Sequence, residues 1–408
     1  MSAVEDRDEA SAQPAGASVA ARRRLWRPVP VGDPVALREA SVSALWVWVA
    51  TRLGTFLLGW VAVYHFVENE PLGSYVRRWA QWDWHHFEYI ARNGYDSRFD
   101  PNIEAFFPGL PLVLRAVHAV GVDGALAGLL VSLVAGAFAS VALAQLGELD
   151  GPRGTGERAV LLLTLSPAAV FLAAGYTEAL FLGFALPAWL CARRGQWWAA
   201  GLLGAAASTT RVTGLFLAAA LVVQFVTDRP RRDWGQAPAL VLPFLPVLGY
   251  MAYLRNLRGP CTPTSDEVCG WLAWQRAQER GWGRSFEWPW TVFSNTWDAA
   301  FGQSQAIAFR MDFRLELLAM AVGVALTVYL LVRREWGEAT YVGLSVVALG
   351  TSTWYFSTPR ASLLWFPLWI ALARATVRRP KLLVLYLAAV APLAAHWTIL
   401  FVDGRWAG

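Results

Sequence analysis

Long apolar blocks constrain this chain more than any other feature. The runs Ala125–Leu146 and Met311–Val332 are each long enough to cross ~30 Å of hydrocarbon at ~1.5 Å per helical residue. Charged residues make up 16% of the chain and hydrophobic ones 56%. Soluble domains carry about 25% charged residues, so too little charge is present to coat a water-soluble core of this size. The mean hydropathy of +0.37 agrees. An all-α polytopic membrane protein is expected.

The net charge is +5, and Lys381 is the only lysine, so the positive charge is otherwise arginine. The arginines form no continuous basic face, which excludes nucleic acid as a partner and leaves the lipid bilayer. They sit in short clusters between apolar runs, where basic residues orient helices. Residues 1–40 are polar, Ala-rich and mixed in charge, with no apolar segment of a signal peptide. This stretch reads as a disordered cytoplasmic tail ending in Arg22, Arg23, Arg24 and Arg27. Residues 41–408 read as one membrane-embedded domain.

The first span is expected near Val42–Val63, its start inside. The clusters Arg153/Arg158, Arg193/Arg194, Arg229/Arg231/Arg232, Arg333/Arg334 and Arg378/Arg379/Lys381 can all be cytoplasmic only if residues 66–123 stay outside. Phe106–Val120 is then an interfacial or re-entrant segment, which suits its Pro108, Pro111, Arg115 and His118. About eleven spans follow, N-terminus in and C-terminus out, with large outside segments at 66–123 and 257–309. Smaller outside corners fall at Gly175–Glu178, Ser208–Arg211 and Trp354–Arg360.

Unusual polar residues collect at the outside ends of the spans: Asp83, His85, His86 and Glu88, then Glu178, Thr210-Arg211, Gln275, Arg284 and Arg360. Charge near membrane depth is costly and tends to face a cavity. A planar guanidinium offers paired donors to phosphate oxygens, so Arg211 and Arg360 suit a phosphate. The plainer readings are a helix cap for Asp83 and Glu178, solvated loop histidines, and interface anchors for the arginines. A metal set of Asp83, His85, His86 and Glu88 is disfavoured, because adjacent helical residues diverge. Trp82, Trp84, Trp271, Trp274, Trp282, Trp288, Trp290 and Trp297 cluster in the outside segments. An aromatic belt explains most of them, while Trp82 or Trp84 could stack on a sugar. Cys261 and Cys269 lie together in the second outside segment, where an oxidising compartment permits a disulfide. Cys191 falls in a span.

Taken in order, these residues resemble a family. The resemblance rests on Trp82-Asp83, Tyr89–Tyr95, Ala105–Pro111, and Ser166-Pro167 through Tyr176-Thr177-Glu178-Ala179-Leu180-Phe181. It continues through Thr210–Gly214, Trp274-Gln275 with Gln278, Gly281–Arg284, Pro289, Pro359-Arg360, Phe366-Pro367 and Asp403–Trp406. The set is similar to the GPI mannosyltransferase 2 (PIG-V) family and its bacterial relatives. Two departures are Ala361, where an aromatic residue is expected, and Gly109, where a bulkier one is usual. The resemblance implies a GT-C type helical bundle whose active site faces away from the cytoplasm. It implies a polyprenyl-phosphate sugar donor, commonly mannose, and inverting transfer to a hydroxyl of a lipid- or protein-linked acceptor. Asp83 then matches the acidic residue of the first loop, the expected base. From the chemistry of the residues themselves, Arg211 and Arg360 are the expected donor-phosphate site, and Trp82, His86, Glu178 and Gln275 the expected acceptor and sugar site. Outside the tail there is no Asp-x-Asp pair for a metal–nucleotide site, so no cofactor or metal is expected as a requirement. The competing class is a multi-pass transporter or flippase. Against it, the charged residues gather on one face rather than at mid-membrane, and no internal repeat is evident. A membrane scaffold would need no such site.

Overall fold

The computed structural model describes residues 32–66, 72–228, 232–261, 268–303 and 305–405. The tail arginines, Arg229, Arg231 and Trp406 lie outside the described residues. In chain order the helices are α1 (Pro34–Phe66), α2 (Leu72–Arg77), α3 (Asp83–Asn93), α4 (Gly109–Ala119), α5 (Gly124–Asp150) and α6 (Thr155–Thr164). Then come α7 (Thr177–Arg193), α8 (Trp197–Ser208), α9 (Gly214–Thr227), α10 (Leu245–Arg258), α11 (Ala273–Trp282) and α12 (Pro289–Phe301). The chain continues with α13 (Ile307–Val332), α14 (Trp336–Gly350), α15 (Thr358–Ser362), α16 (Phe366–Arg378) and α17 (Pro380–Val402). Among the described residues the only β pairing is an isolated bridge between Phe286 and Ser352.

Five helices are long and apolar enough to cross a membrane: Pro34–His65, Gly124–Asp150, Trp234–Arg258, Phe309–Val332 and Pro380–Val402. The protein is therefore an all-helical, polytopic membrane protein. The first of these helices begins at Pro34, so residues 34–40 are helical and not part of a tail. Proline suits a first helical turn because its missing N–H has no intrahelical partner there. Gly109–Ala119 is one of the shorter apolar helices. At ~1.5 Å per residue it is too short to span, in keeping with an interfacial segment.

Close backbone approach organises the bundle, since helices in lipid associate by packing rather than by hiding apolar surface from water. α5 is the hub and packs against α1, α6 and α7. Glycines mark its contacts. A Cβ on Gly136 would fall 2.2 Å from the Trp48 ring of α1, and one on Gly147 would fall 2.8 Å from Gly156 of α6. On α7, a Cβ on Gly183 would meet the Ala135 carbonyl at 2.8 Å. α6 ends at a break around Ser166-Pro167, and the buried Arg52 of α1 bridges it. Arg52 donates to the carbonyls of Thr164 (2.8 Å) and Ala169 (3.1 Å) and lies over the Trp48 ring.

The two ends of α7 carry different chemistry. Its C-terminal Arg193 forms a bidentate pair with Asp150 (2.6 and 2.9 Å), beside Glu335, Glu338 and Arg374. Its N-terminal Thr177-Glu178 meets Arg211 and Arg360. These ends are roughly 25 Å apart at ~1.5 Å per residue, close to the hydrocarbon thickness.

The two segments expected outside meet at the α7 N-terminal end. The carbonyls of residues 104–106 are clamped by side chains from elsewhere. Tyr250 donates to Glu104 and Phe106, Tyr95 to Phe106, and Trp274 and Gln278 to Ala105. The buried Glu104 pairs with Arg258 of α10. Cys261 and Cys269 are joined as a disulfide close to this roof, and Arg276 donates to the Cys269 sulfur. Cys191 is a free, half-buried thiol in α7.

Candidate active site

A cavity of about 540 Å³ opens beneath this roof. Asp83, Thr177, Thr210, Arg211, Gln275, Gln278, Arg284 and Arg360 form its polar end. Phe216 of α9, Ala348 and Leu349 of α14, and Leu364 and Trp365 just before α16 add an apolar part to its lining. The three small corners picked out in the sequence converge here, together with both large segments.

Asp83 opens α3 and is aimed by its neighbours. Trp84, 2% exposed, fills a slot between Gly128 of α5 and Gly175, where a Cβ on either would lie 2.3 or 2.5 Å from the indole. Trp82 has φ 54, a left-handed value unusual for a bulky side chain. Ser357, just before the short helix that carries Arg360, has φ 59. Two of the three described non-glycine residues with positive φ thus adjoin site residues, the third being Arg334. Such outliers tend to collect at functional sites.

Arg211 comes from the tight corner between α8 and α9. Gly214 packs so closely on Ser208 that a Cβ would sit 2.3 Å from its Cα. Gly109, noted in the sequence as smaller than usual, has a physical reason here. Its N–H donates to the Thr209 carbonyl (2.8 Å), and a Cβ would sit 2.5 Å from Thr209 Oγ1.

The core of the site is an alternating chain of charge. Arg360 donates through Nε to Glu178 Oε1 (2.6 Å) and through Nη1 to Asp83 Oδ2 (2.9 Å). Arg211 Nη1 donates to the same Glu178 oxygen (2.5 Å) and to Thr177 Oγ1 (2.7 Å). The Arg360 guanidinium lies against the rings of Phe171 and Tyr176, at 4.6 and 4.7 Å from their centroids. Burial alone lowers the pKa of Arg360, but the Glu178 and Asp83 carboxylates outweigh it and hold the pKa above its ordinary value. Glu178 is fully buried, so it has no open face for a sugar and instead ties the two arginines together. Glu316 of α13 accepts from the Thr358 N–H (2.8 Å) and anchors the start of α15.

Not every residue singled out in the sequence reaches the cavity. His86 pairs with Asp100 (2.7 Å) and stacks on Phe106 at 4.3 Å, outside the cavity wall. Trp82 is 39% exposed and does not line the cavity either. Gln275 does line it, bonded to Glu279 (2.9 Å). His85 is exposed, and Glu88 turns to Arg92 and His118. The Asp83/His85/His86/Glu88 set is therefore dispersed, and no three His, Cys, Asp or Glu residues among those described gather as a metal-holding group. Ala361 lines the cavity beside Arg360, leaving open the volume that an aromatic residue would fill. Arg284, singled out in the sequence among the polar residues at the outside ends and in Gly281-Trp282-Gly283-Arg284 but given no role there, lines the cavity as well.

The fold and site define a polytopic helical membrane protein with a carboxylate–arginine pocket at one end of its bundle. Residues 59–229 match the model of the Mannosyltransferase (PIG-V) family. GPI alpha-1,6-mannosyltransferase 2 of Mus musculus is 37% identical over 187 residues, which is 42% of this chain and 36% of that protein. The Rattus norvegicus protein of the same name is 41% identical over 148 residues, 33% of this chain and 29% of its own length. That of Cricetulus griseus is 37% identical over 189 residues, 43% and 36% of the two chains. The match thus spans about a third of the length of these curated relatives. It supports assignment to the PIG-V family over the stretch that holds Asp83, Glu178 and Arg211. Arg284 and Arg360 lie beyond it.

Proposed function

We propose that this protein is a membrane glycosyltransferase moving mannose from a polyprenyl-phosphate donor to an acceptor hydroxyl on the extracytoplasmic face, with inversion. The observation that carries the reading is the Asp83 carboxylate, held at the cavity wall 2.9 Å from Arg360. The polar side chains of the lining suit a sugar phosphate, and the apolar ones suit an isoprenoid tail. Asp83 takes the acceptor proton as that oxygen bonds the anomeric carbon. The bond from the anomeric carbon to the phosphate oxygen breaks on the opposite side, which inverts the centre. Protonation cancels the charge of Asp83 just as the departing phosphate gains one. Arg360, relieved of one carboxylate, is then free to answer the new charge. An interaction that strengthens only as the reaction proceeds lowers the barrier rather than merely binding substrate. Glu178 keeps Arg211 and Arg360 in place throughout.

The test is transfer in liposomes from radiolabelled polyprenyl-phosphate mannose to a host lipid extract, with Asp83→Asn alongside. Label reaching a new product with the native protein alone supports the reading. Near-normal turnover by Asp83→Asn removes Asp83 as the base. No transfer by either, with intact donor, turns attention to other polyprenyl-phosphate sugars and then to a transporter.

A further inference from the structure

The charges of the cavity do not balance, and the imbalance sits on one residue. Asp83 and Glu178 face Arg211 and Arg360, two carboxylates against two guanidiniums already joined by ion pairs. Arg284 stands on the same wall with no carboxylate partner among the described residues. Its Nε is shut off from solvent and has no hydrogen-bond partner. The nearest aromatic contact is the Phe356 ring, 5.6 Å away. Glu316, whose field reaches it, is occupied with the Thr358 N–H. Burial, with repulsion from Arg360 and Arg211, pushes the Arg284 pKa down to about 10, so the group stays charged at neutral pH. A buried guanidinium N–H without an acceptor is costly unless something fills the gap.

We infer that Arg284 is the ground-state anchor for the donor phosphodiester, a lipid-linked monoanion, whereas Arg211 and Arg360 act on the charge that develops during transfer. The inference rests on the transferase reading above and divides its arginines by role. A phosphodiester carries one negative charge, which Arg284 alone matches without disturbing the Asp83–Arg360–Glu178–Arg211 chain. Drawing Arg360 onto the donor instead would strip Asp83 of its ion-pair partner before any chemistry began. Trp282, two residues before Arg284, and Phe286, two after it, line the same cavity, so the loop presents its cation between apolar surfaces fit for a lipid phosphate.

The experiment uses the full chain in nanodiscs. Binding of methyl polyprenyl phosphate, a phosphodiester monoanion with no sugar to transfer, and of the matching polyprenol is read by tryptophan fluorescence, and transfer kinetics with polyprenyl-phosphate mannose are run in parallel. Arg284→Gln should weaken the phosphate lipid about 10- to 100-fold, the scale of one charge-assisted hydrogen bond, and leave polyprenol unchanged. It should raise KM for the donor more than it lowers kcat, and Arg284→Lys should recover part of the loss. Arg360→Gln should do the reverse, lowering kcat more than it raises KM. If Arg284→Gln binds the phosphate lipid as the native protein does, while the native protein transfers mannose, the anchor assignment fails and the transferase reading stands. If the native protein neither binds the phosphodiester lipid nor transfers mannose from polyprenyl-phosphate mannose, both fail together. A thermal midpoint for each variant separates loss of the site from loss of the fold.

Discussion

Substituting Gly128 by alanine tests whether a packing contact inside the bundle sets the position of Asp83. The new methyl would start 2.3 Å from Trp84 Cζ3 and 2.8 Å from the Gly175 Cα. Ordinary carbon–carbon contact is about 3.5–4.0 Å, so the indole must move by more than ~1 Å or α5 must separate from the Gly175 turn. Overpacking of this kind costs about 1–3 kcal/mol. Trp84 adjoins Asp83, so its displacement is passed directly to the carboxylate and to its 2.9 Å contact with Arg360. A misplacement of ~1 Å at a reacting group can cost about 100-fold in rate. The expected result is a modest fall in thermal midpoint with a disproportionate fall in transfer. Pairing Gly128→Ala with Trp84→Leu, which clears the space, should give a stability loss well below the sum of the two single losses, because the residues touch. Unchanged stability and transfer in Gly128→Ala, or strict additivity in the double variant, would refute the reasoning.

The other predictions concern the frame around the site. Arg52→Leu leaves the Thr164 and Ala169 carbonyls without their buried donor, so it should cost about 1–3 kcal/mol for each group left unpaired, read as a lower thermal midpoint. An unchanged midpoint would mean that the break after α6 closes without Arg52. Cys261→Ser opens a disulfide of sequence separation 8, for which loop closure gives at most about 2–3 kcal/mol; the midpoint should fall by the same amount when the native protein is reduced. Ser357, at φ 59, should accept glycine with equal or higher stability, whereas valine should cost about 1–2 kcal/mol. A valine variant as stable as the native protein would show that the backbone relaxes there freely.

Much of this molecule was legible in its sequence, because the lipid environment makes composition decisive. A helix crossing hydrocarbon must be apolar over the span, so Ala125–Leu146 and Met311–Val332 stood out as blocks, and they fall within the helices Gly124–Asp150 and Phe309–Val332. The proline-bearing segment at 106–120 was marked by length and content as something other than a span. The corners bearing Glu178, Arg211 and Arg360 were visible because charge at the ends of apolar runs is rare and costly. The start of α1 was not, since Pro34–Ala40 is polar enough to pass for a tail.

Sequence alone determined the class of fold, the residues that could carry chemistry and the end of the bundle where they gather. It could not assign partners, because ion pairing depends on angstroms between residues far apart in the chain. Only the tertiary structure placed Arg360 between Asp83 and Glu178, buried Glu178 beneath the cavity, and turned His86 away to Asp100. Among the described residues it also left Arg284 without a carboxylate partner. One arginine looks like another in a sequence, and its role follows from which charges surround it once the helices have packed.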